Sequence, residues 1–156
     1  MVQRILCPVD FSDRSRESLK YAAGLAHSLH AKLVLLHAFD LPATLDLAGQ
    51  TTPLDPALRP QLDEWAGAQG ELTAEVILHA GHPGEVICWV AQDRKCDLIV
   101  MGTHGRTGLL RTLLGSTAEH VLRHARCPVL TIREISPHEP PLAEPMVLPL
   151  NAPRFM

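Results

Sequence analysis

The sequence predicts an α/β fold in which a parallel sheet of five strands is covered by helices on both faces. Short apolar runs alternate with segments whose apolar residues recur at helical spacing, in the order β-α-β-α-β-α-β-α-β. Strands that are separated by helices must cross over, so they pair in parallel. Two of the runs, residues 33–36 and 98–101, contain no polar residue, which is typical of strands buried on both faces.

The first half of the chain contains three predicted strands and two predicted helices. Apolar runs predict strands over residues 2–9, 33–38 and 74–79. The third strand carries Glu75 and His79, which favour a position at the edge of the sheet. Residues 15–30 predict a helix with one apolar stripe: Leu19, Ala22, Ala23, Ala26 and Leu29. The second helix follows a proline-spaced region that ends at Pro60, and it carries Leu62, Trp65 and Ala66.

The second half predicts two more helices and two more strands. One helix opens at His82-Pro83-Gly84-Glu85, where proline in the first turn loses no hydrogen bond, and it buries Val86, Ile87, Val90 and Ala91. Residues 97–101 predict the fourth strand, residues 102–115 a loop, and residues 129–132 the fifth strand. The last helix spans about 117–125, with an apolar stripe of Ala118, Val121, Leu122 and Ala125.

Length and composition indicate one ordinary globular domain. The chain has 156 residues, of which 46% are hydrophobic and 20% charged, and its formal net charge is −3. The chain therefore lacks the surplus of basic residues that is typical of proteins that bind nucleic acid or anionic membranes. No apolar stretch reaches the ~18 residues of a transmembrane helix, and the N-terminus resembles no signal peptide, so we expect a cytoplasmic protein. The four cysteines form no C-x-x-C pair, and we expect buried thiols.

Composition changes near residue 134. Six prolines occur in residues 134–156, which excludes a helix or a central strand there. We therefore predict a folded domain over residues 1–133 and a proline-rich C-terminal tail over residues 134–156. This tail is either disordered or extended over the surface of a partner. The second alternative is compatible with its apolar residues Met146, Val147, Leu148 and Leu150.

The glycine-rich loop after the fourth strand is the best candidate for a binding site. Ligands of open parallel sheets bind beyond the carboxyl ends of the strands. Glycines allow close approach to the backbone, and Gly115-Ser116 lies where a helix begins and favours an anion. Arg106 and Arg111 add positive charge. In the alternative interpretation, Ser116-x-x-Glu119 is only a capping box. The chain contains neither G-x-x-x-x-G-K-[ST] nor G-x-G-x-x-G.

The spacing Gly102-x2-Gly105-x9-Gly115-Ser116 resembles the nucleotide-binding signature of the universal stress protein family. Three flanking segments agree with it: Cys7-Pro8-Val9-Asp10-Phe11-Ser12, Leu36-His37-Ala38 and Cys127-Pro128-Val129-Leu130. The resemblance covers residues 1 to about 133. It implies a single Rossmann-like domain (adenine nucleotide alpha hydrolase-like), usually a homodimer joined through the last strand. It also implies the ATP-binding branch of the family, in which a divalent cation such as Mg²⁺ accompanies the phosphates.

The resemblance further implies the residues of the site. Asp10 would meet the adenosine part, Pro8 and Val9 would line the same pocket, and Ala38 would contact adenine. The glycine loop would carry ribose and phosphates, and Val129 would close the adenine side. The implied loop residues are Met101, Gly102, His104, Gly105, Arg106, Gly115, Ser116 and Thr117. From position alone, Asp10 follows a strand and can accept a hydrogen bond from a ribose, but a cap of the next helix is the alternative.

Other features leave alternatives open. His120 and His124 are four residues apart, a spacing that can hold zinc, but a solvated helix face is the better interpretation. His79 and His82 fall near the expected mouth of the site. We expect a nucleotide-binding regulatory module with an unknown protein partner. The alternatives are a slow ATPase that uses His104 or Arg106, and a non-catalytic interaction protein that acts through its dimer surface and tail.

Overall fold

The computed structural model describes residues 1–40, 55–70, 72–103 and 114–133. Strands and helices alternate along these residues, which confirms the predicted α/β class. The strands are β1 (Arg4–Pro8), β2 (Lys32–Phe39), β3 (Ala74–Ala80), β4 (Leu98–Gly102) and β5 (Val129–Ile132). The helices are α1 (Asp13–Leu29), α2 (Leu58–Gly67), α3 (Pro83–Asp93) and α4 (Ser116–His124). None of these described helices is long and apolar enough to cross a membrane.

The five strands form one parallel sheet in the order β3-β2-β1-β4-β5. β3 lies at an edge, as Glu75 and His79 predict. The chain builds outward from β1 to β3 and then returns to the other side of β1 to add β4 and β5. The strand order therefore reverses between β1 and β4, and this is where open α/β sheets bind ligands.

Two hydrophobic clusters cover the two faces of the sheet. Alternate residues of the central strands point to opposite clusters, so Ile5 and Leu33 pack with α1 and α2. Leu6 and Val34 pack with α3 and α4 on the other face. Each of these four side chains is at most 1% exposed, and burying one such side chain stabilises the fold by roughly 1.5–3 kcal/mol. The prediction of strands buried on both faces is confirmed.

The first residues of α1 and α2 differ from what the sequence pattern predicts. α1 begins at Asp13 rather than at residue 15, because Ser12 is its N-cap and its side chain accepts the N–H of Ser15. α2 includes Pro60 as its third residue. Proline is tolerated there because the first N–H groups of a helix have no partner within the helix.

Two apolar residues of the predicted helix stripes are exposed. Leu29, the last residue of α1, is 45% exposed. On α4, Ala118 and Val121 are buried as expected, but Leu122 is 46% exposed. Because α4 is packed chiefly against α3, only a narrow stripe of the helix faces the protein. Leu122 lies one residue beyond Val121, about 100° further around the helix axis, and points away from the cluster.

All four cysteines are free thiols, but the expectation that they are buried is confirmed for only two of them. Cys7 and Cys96 are buried, whereas Cys88 and Cys127 are only half-buried. Burial raises the pKa of the Cys96 thiol to about 11, so this thiol stays protonated at neutral pH.

Asp97 joins the start of β4 to the N-terminal segment, and we expect its carboxylate to make stability depend on pH. Its Oδ2 accepts the backbone N–H groups of Gln3 at 2.7 Å and Arg4 at 2.9 Å. These two hydrogen bonds lower the pKa of Asp97 in the folded protein. The stabilisation is therefore fully present above the ordinary pKa of an aspartate, about 4, and is lost as the pH falls through the lower folded value.

Urea unfolding of the wild type and Asp97→Asn between pH 7 and pH 3 measures this contribution. The wild type should be the more stable protein at pH 7, and the difference should shrink towards pH 3. Glu64→Gln removes an exposed carboxylate from α2 and serves as the charge-matched control. A wild-type advantage that grows as the pH falls would contradict this assignment.

Candidate functional site

A cavity of about 200 Å³ opens at the carboxyl end of the sheet, where the strand order reverses. Its wall combines the ends of β1, β2 and β4 with the first turns of α1, α3 and α4. The lining residues are Pro8, Val9, Asp10, Ser15, Ala38, Pro83, Ile87, Met101, Gly102, Thr103, Gly115, Ser116, Thr117 and Ala118.

The turn from β1 to α1 places Asp10 at this cavity. Its Oδ1 accepts the backbone N–H of Ser12 at 3.0 Å and also the hydroxyl of Ser12. The Ser15 hydroxyl accepts the backbone N–H of Asp10 at 3.3 Å and donates to the Ser12 carbonyl at 3.0 Å. The cap of α1 is therefore Ser12 and not Asp10, so the alternative interpretation of Asp10 as the cap itself is wrong. Asp10 instead fixes the capping residue while it lines the cavity.

The end of β2 is tied to the end of β1 by a buried histidine. His37 is 8% exposed, and its Nδ1–H donates to the Val9 carbonyl at 2.8 Å. The Val9 N–H donates in turn to the Leu36 carbonyl at 2.8 Å. These bonds hold Val9 next to Ala38, and both residues line the cavity.

The start of α4 forms the side of the cavity opposite the β1 turn. Gly115 is the N-cap in an extended conformation, and as a glycine it has no side chain to cap the helix. Its N–H donates to the Thr103 carbonyl at 2.6 Å, which holds the end of β4 against the helix. Ser116 and Thr117, the first residues of α4, therefore present backbone N–H groups that lack partners within the helix, as an anion site requires.

The capping-box interpretation of Ser116 is consequently wrong. Ser116 is already the first residue of the helix, so it cannot act as the N-cap. The Glu119 side chain, which a capping box would turn back towards the helix start, instead pairs with Arg123 at 2.7 Å. This exposed ion pair leaves the backbone N–H groups of the first turn without a bond from Glu119.

The structure brings nine of the predicted site residues together at the cavity: Pro8, Val9, Asp10, Ala38, Met101, Gly102, Gly115, Ser116 and Thr117. His104, Gly105 and Arg106 lie outside the described residues, as does Arg111. Val129 does not line the cavity, because it pairs with Ile99 near the amino end of β5, below the level of Met101 and Gly102.

Five lining residues were not predicted: Ser15, Pro83, Ile87, Thr103 and Ala118. The first turns of α1, α3 and α4 supply three of them, and Thr103 directly follows β4. Strands end and helices begin at the same edge of a parallel sheet, so position along the elements was a usable signal for these four. Ile87 was assigned to the core stripe of α3, and its position at the cavity wall depends on how α3 packs over the sheet.

The histidines near this end of the sheet have structural contacts. His79 donates through Nδ1 to the Ala80 carbonyl at 2.7 Å and packs against Trp89. His124 is exposed, as a solvated helix face requires, but His120 is half-buried against Gly84, which corrects that interpretation. The rings of His120 and His124 stack at 4.3 Å. Among the described residues, no group of three or more side chains is arranged to hold a metal ion.

The chemistry of the wall suits a mostly apolar ligand with a polar end. Val9, Ala38, Ile87 and Met101 give an apolar side, whereas Ser116 and Thr117 lie at the open helix start. Asp10 is the one ionisable side chain among the lining residues that the structure describes. A few polar groups placed around an apolar cleft are typical of small-molecule sites.

Comparison with known proteins agrees with this architecture. Residues 1–133 match the model of the Universal stress protein family. Universal stress protein MJ0531 of Methanocaldococcus jannaschii is 34% identical over 142 residues, which cover 86% of this chain and 84% of that protein.

Solved structures that are similar to this chain include the following two. That of the protein MJ0577 of M. jannaschii shares 28% identity at a TM-score of 0.68, covering 87% of this chain and 99% of that one. A universal stress protein solved in complex with cAMP shares 27% identity at a TM-score of 0.63, covering 84% and 96%. Since the family model matches residues 1–133, well over half of its length, the chain belongs to the universal stress protein family.

Proposed function

We propose that this protein is a regulatory module that binds ATP in the cavity between β1 and β4. The observation that carries the proposal is the position of the cavity, which joins Asp10 after β1 to the glycine-capped start of α4 at the reversal of strand order. The universal stress protein in complex with cAMP supports an adenine nucleotide as the class of ligand.

Each part of the nucleotide has a complementary part of the wall. The apolar side formed by Val9, Ala38 and Met101 fits the adenine ring, which gains from leaving water. The Asp10 carboxylate can accept a hydrogen bond that a ribose hydroxyl donates. The backbone N–H groups at Ser116 and Thr117 fit phosphate oxygens, since the dipole of α4 favours negative charge at its start.

Mg²⁺ would enter the site on the phosphates of ATP. A Mg²⁺ ion keeps several waters and is held in nucleotide sites by one or two protein oxygens together with phosphate oxygens. Among the described lining residues, Asp10 is the only carboxylate and Ser116 and Thr117 offer hydroxyls. This donor set fits a cation shared with the phosphates.

The proposed module acts as a homodimer joined through β5. This strand ends the sheet order, so its outer edge has no neighbouring strand among the described residues. Leu130 is 36% exposed there, and Leu122 of the neighbouring α4 is also exposed. An edge strand with exposed apolar side chains favours pairing with a second copy. Sedimentation equilibrium, with and without ATP, measures this association.

The test of nucleotide binding begins with protein purified without added ligand. We expect denaturation to release adenine nucleotide in near-stoichiometric amount, and ATP with Mg²⁺ to bind saturably to the emptied protein in calorimetry. Titrations with AMP, cAMP and GTP determine the preference, and chromatography of incubated ATP measures any ADP formed. Absence of released nucleotide together with absence of binding would refute the proposal.

A further inference from the structure

The turn between β1 and α1 has an unusual backbone. Phe11 has a φ of 63°, in the left-handed region that a residue with a Cβ atom rarely adopts. Such conformations persist where surrounding contacts enforce them, and they cluster at functional sites. Phe11 stands between Asp10, which lines the cavity, and Ser12, which caps α1.

Two aromatic contacts hold Phe11 in this conformation. Its ring centroid lies 4.6 Å from that of His37 on β2 and 5.3 Å from that of Trp65 on α2. The Trp65 ring is nearly perpendicular to the Phe11 ring, at 86°, in the edge-to-face arrangement that aromatic pairs favour. Trp65 is itself buried, and the Arg16 guanidinium lies 4.6 Å from its ring centroid.

None of these three aromatic rings lines the cavity. The turn that they hold nevertheless sets the direction of Asp10, because the Asp10 carboxylate is bonded to Ser12, the residue after Phe11. His37 acts on the preceding residue by its hydrogen bond to the Val9 carbonyl. The contacts of Phe11 and His37 therefore converge on the segment that contains Val9 and Asp10.

We propose that Phe11 is a positioning residue for the nucleotide: its ring, packed between His37 and Trp65, fixes the left-handed turn that presents Asp10 to the ligand. This proposal rests on the proposed nucleotide-binding function. It extends that function to α2, whose Trp65 controls nucleotide affinity from the far side of the turn without touching the ligand.

The test is a double-mutant cycle on ATP affinity, measured by calorimetry. Phe11→Leu keeps an apolar side chain and removes the ring, and we expect it to raise the Kd for ATP at least about fivefold, since contacting residues are energetically coupled. In an Asp10→Ala background the same substitution should change the Kd less than about twofold, because the group that Phe11 positions is gone. Phe11→Tyr retains the ring and should bind ATP like the wild type.

A control separates positioning from loss of stability. Leu62→Ala removes a fully buried side chain from the same helix as Trp65, and this side chain does not line the cavity. Leu62→Ala should lower the denaturation midpoint while leaving the Kd for ATP unchanged. If Phe11→Leu does not fold, Trp65→Leu tests the same contact from α2 and should raise the Kd similarly.

The outcomes distinguish the two proposals. If the wild type binds ATP and Asp10→Ala weakens that binding, but Phe11→Leu and Trp65→Leu bind normally, the positioning role is refuted and the nucleotide site stands. An equal effect of Phe11→Leu with and without Asp10 would also refute it, because the ring would then act by another route. If the wild type binds no nucleotide, both proposals fail.

Discussion

Replacing Gly115 by valine is expected to weaken ATP binding by about a hundredfold or more while leaving the domain folded. Gly115 lies at the cavity wall, and its extended backbone, with φ −73° and ψ 155°, is open to a branched residue. The added side chain takes up space at the start of α4, where the phosphates are expected to bind. Binding energy lost to a steric clash of this kind appears directly as lost affinity. Calorimetric titration of ATP measures the change.

Gly67→Val is the matched control for this substitution. Gly67 is an exposed glycine at the end of α2, and a Cβ atom there would meet no atom within 4 Å. We expect it to bind ATP with the affinity of the wild type. Circular dichroism shows whether both variants keep the fold. Unchanged ATP affinity in folded Gly115→Val would place the nucleotide elsewhere.

A second large effect is expected at Gly84, where α3 passes close to α4. A Cβ atom on Gly84 would lie 2.8 Å from the His120 Cγ and Cδ2 atoms and 2.9 Å from its Cβ atom. Because the Cβ atom of His120 is involved, rotation of the ring alone does not relieve the overlap, and the two helices must move apart. We expect Gly84→Ala to destabilise the protein by about 1–3 kcal/mol in urea unfolding. ATP affinity should fall as well, since the neighbouring Pro83 lines the cavity.

Gly24→Ala is a control for which we expect the opposite effect on the free energy of unfolding. Gly24 lies in the exposed middle of α1, and a Cβ atom there meets nothing within 4 Å. Alanine should therefore stabilise the protein by about 0.5–1 kcal/mol through its better helix propensity. His120→Gly removes all three of the overlapping atoms, so in that background Gly84→Ala should destabilise the protein much less than it does in the wild type. An equal destabilisation in both backgrounds would mean that the helix contact is not its cause.

Most of the fold was predictable because the local patterns agree with the packing. The apolar run of β2 is buried between the two faces of the sheet, and the apolar stripe of α1 faces the core. Periodicity alone therefore located both elements. Leu29 and Leu122 were exceptions, because an apolar residue at the end or the side of a buried stripe looks the same in sequence whether or not a partner covers it. The breadth of the covered stripe on α4 depends on its contact with α3, which is a tertiary property.

The candidate site was predictable where a residue follows a strand. Asp10, Ala38 and Gly102 all occupy the carboxyl ends of parallel strands, which meet at one edge of the sheet. Phe11 was not predicted to have a functional role, because its left-handed backbone and its contact with Trp65 depend on how α2 docks. The lining role of Ile87 has the same origin. Contacts between elements distant in sequence are what single-sequence patterns do not contain.

The strand order has a consequence for synthesis of the chain. β1 is made first, yet it lies in the centre of the sheet and pairs with β4, whose residues emerge from the ribosome much later. The cavity needs residues from Pro8 to Ala118, so a nascent chain has no complete binding pocket until α4 has been translated. Such distant pairings slow folding, because the entropy of closing a long loop is lost before the contacts form. If the proposed nucleotide binds there, it therefore marks a chain whose folding is finished and stabilises that chain by mass action against unfolding.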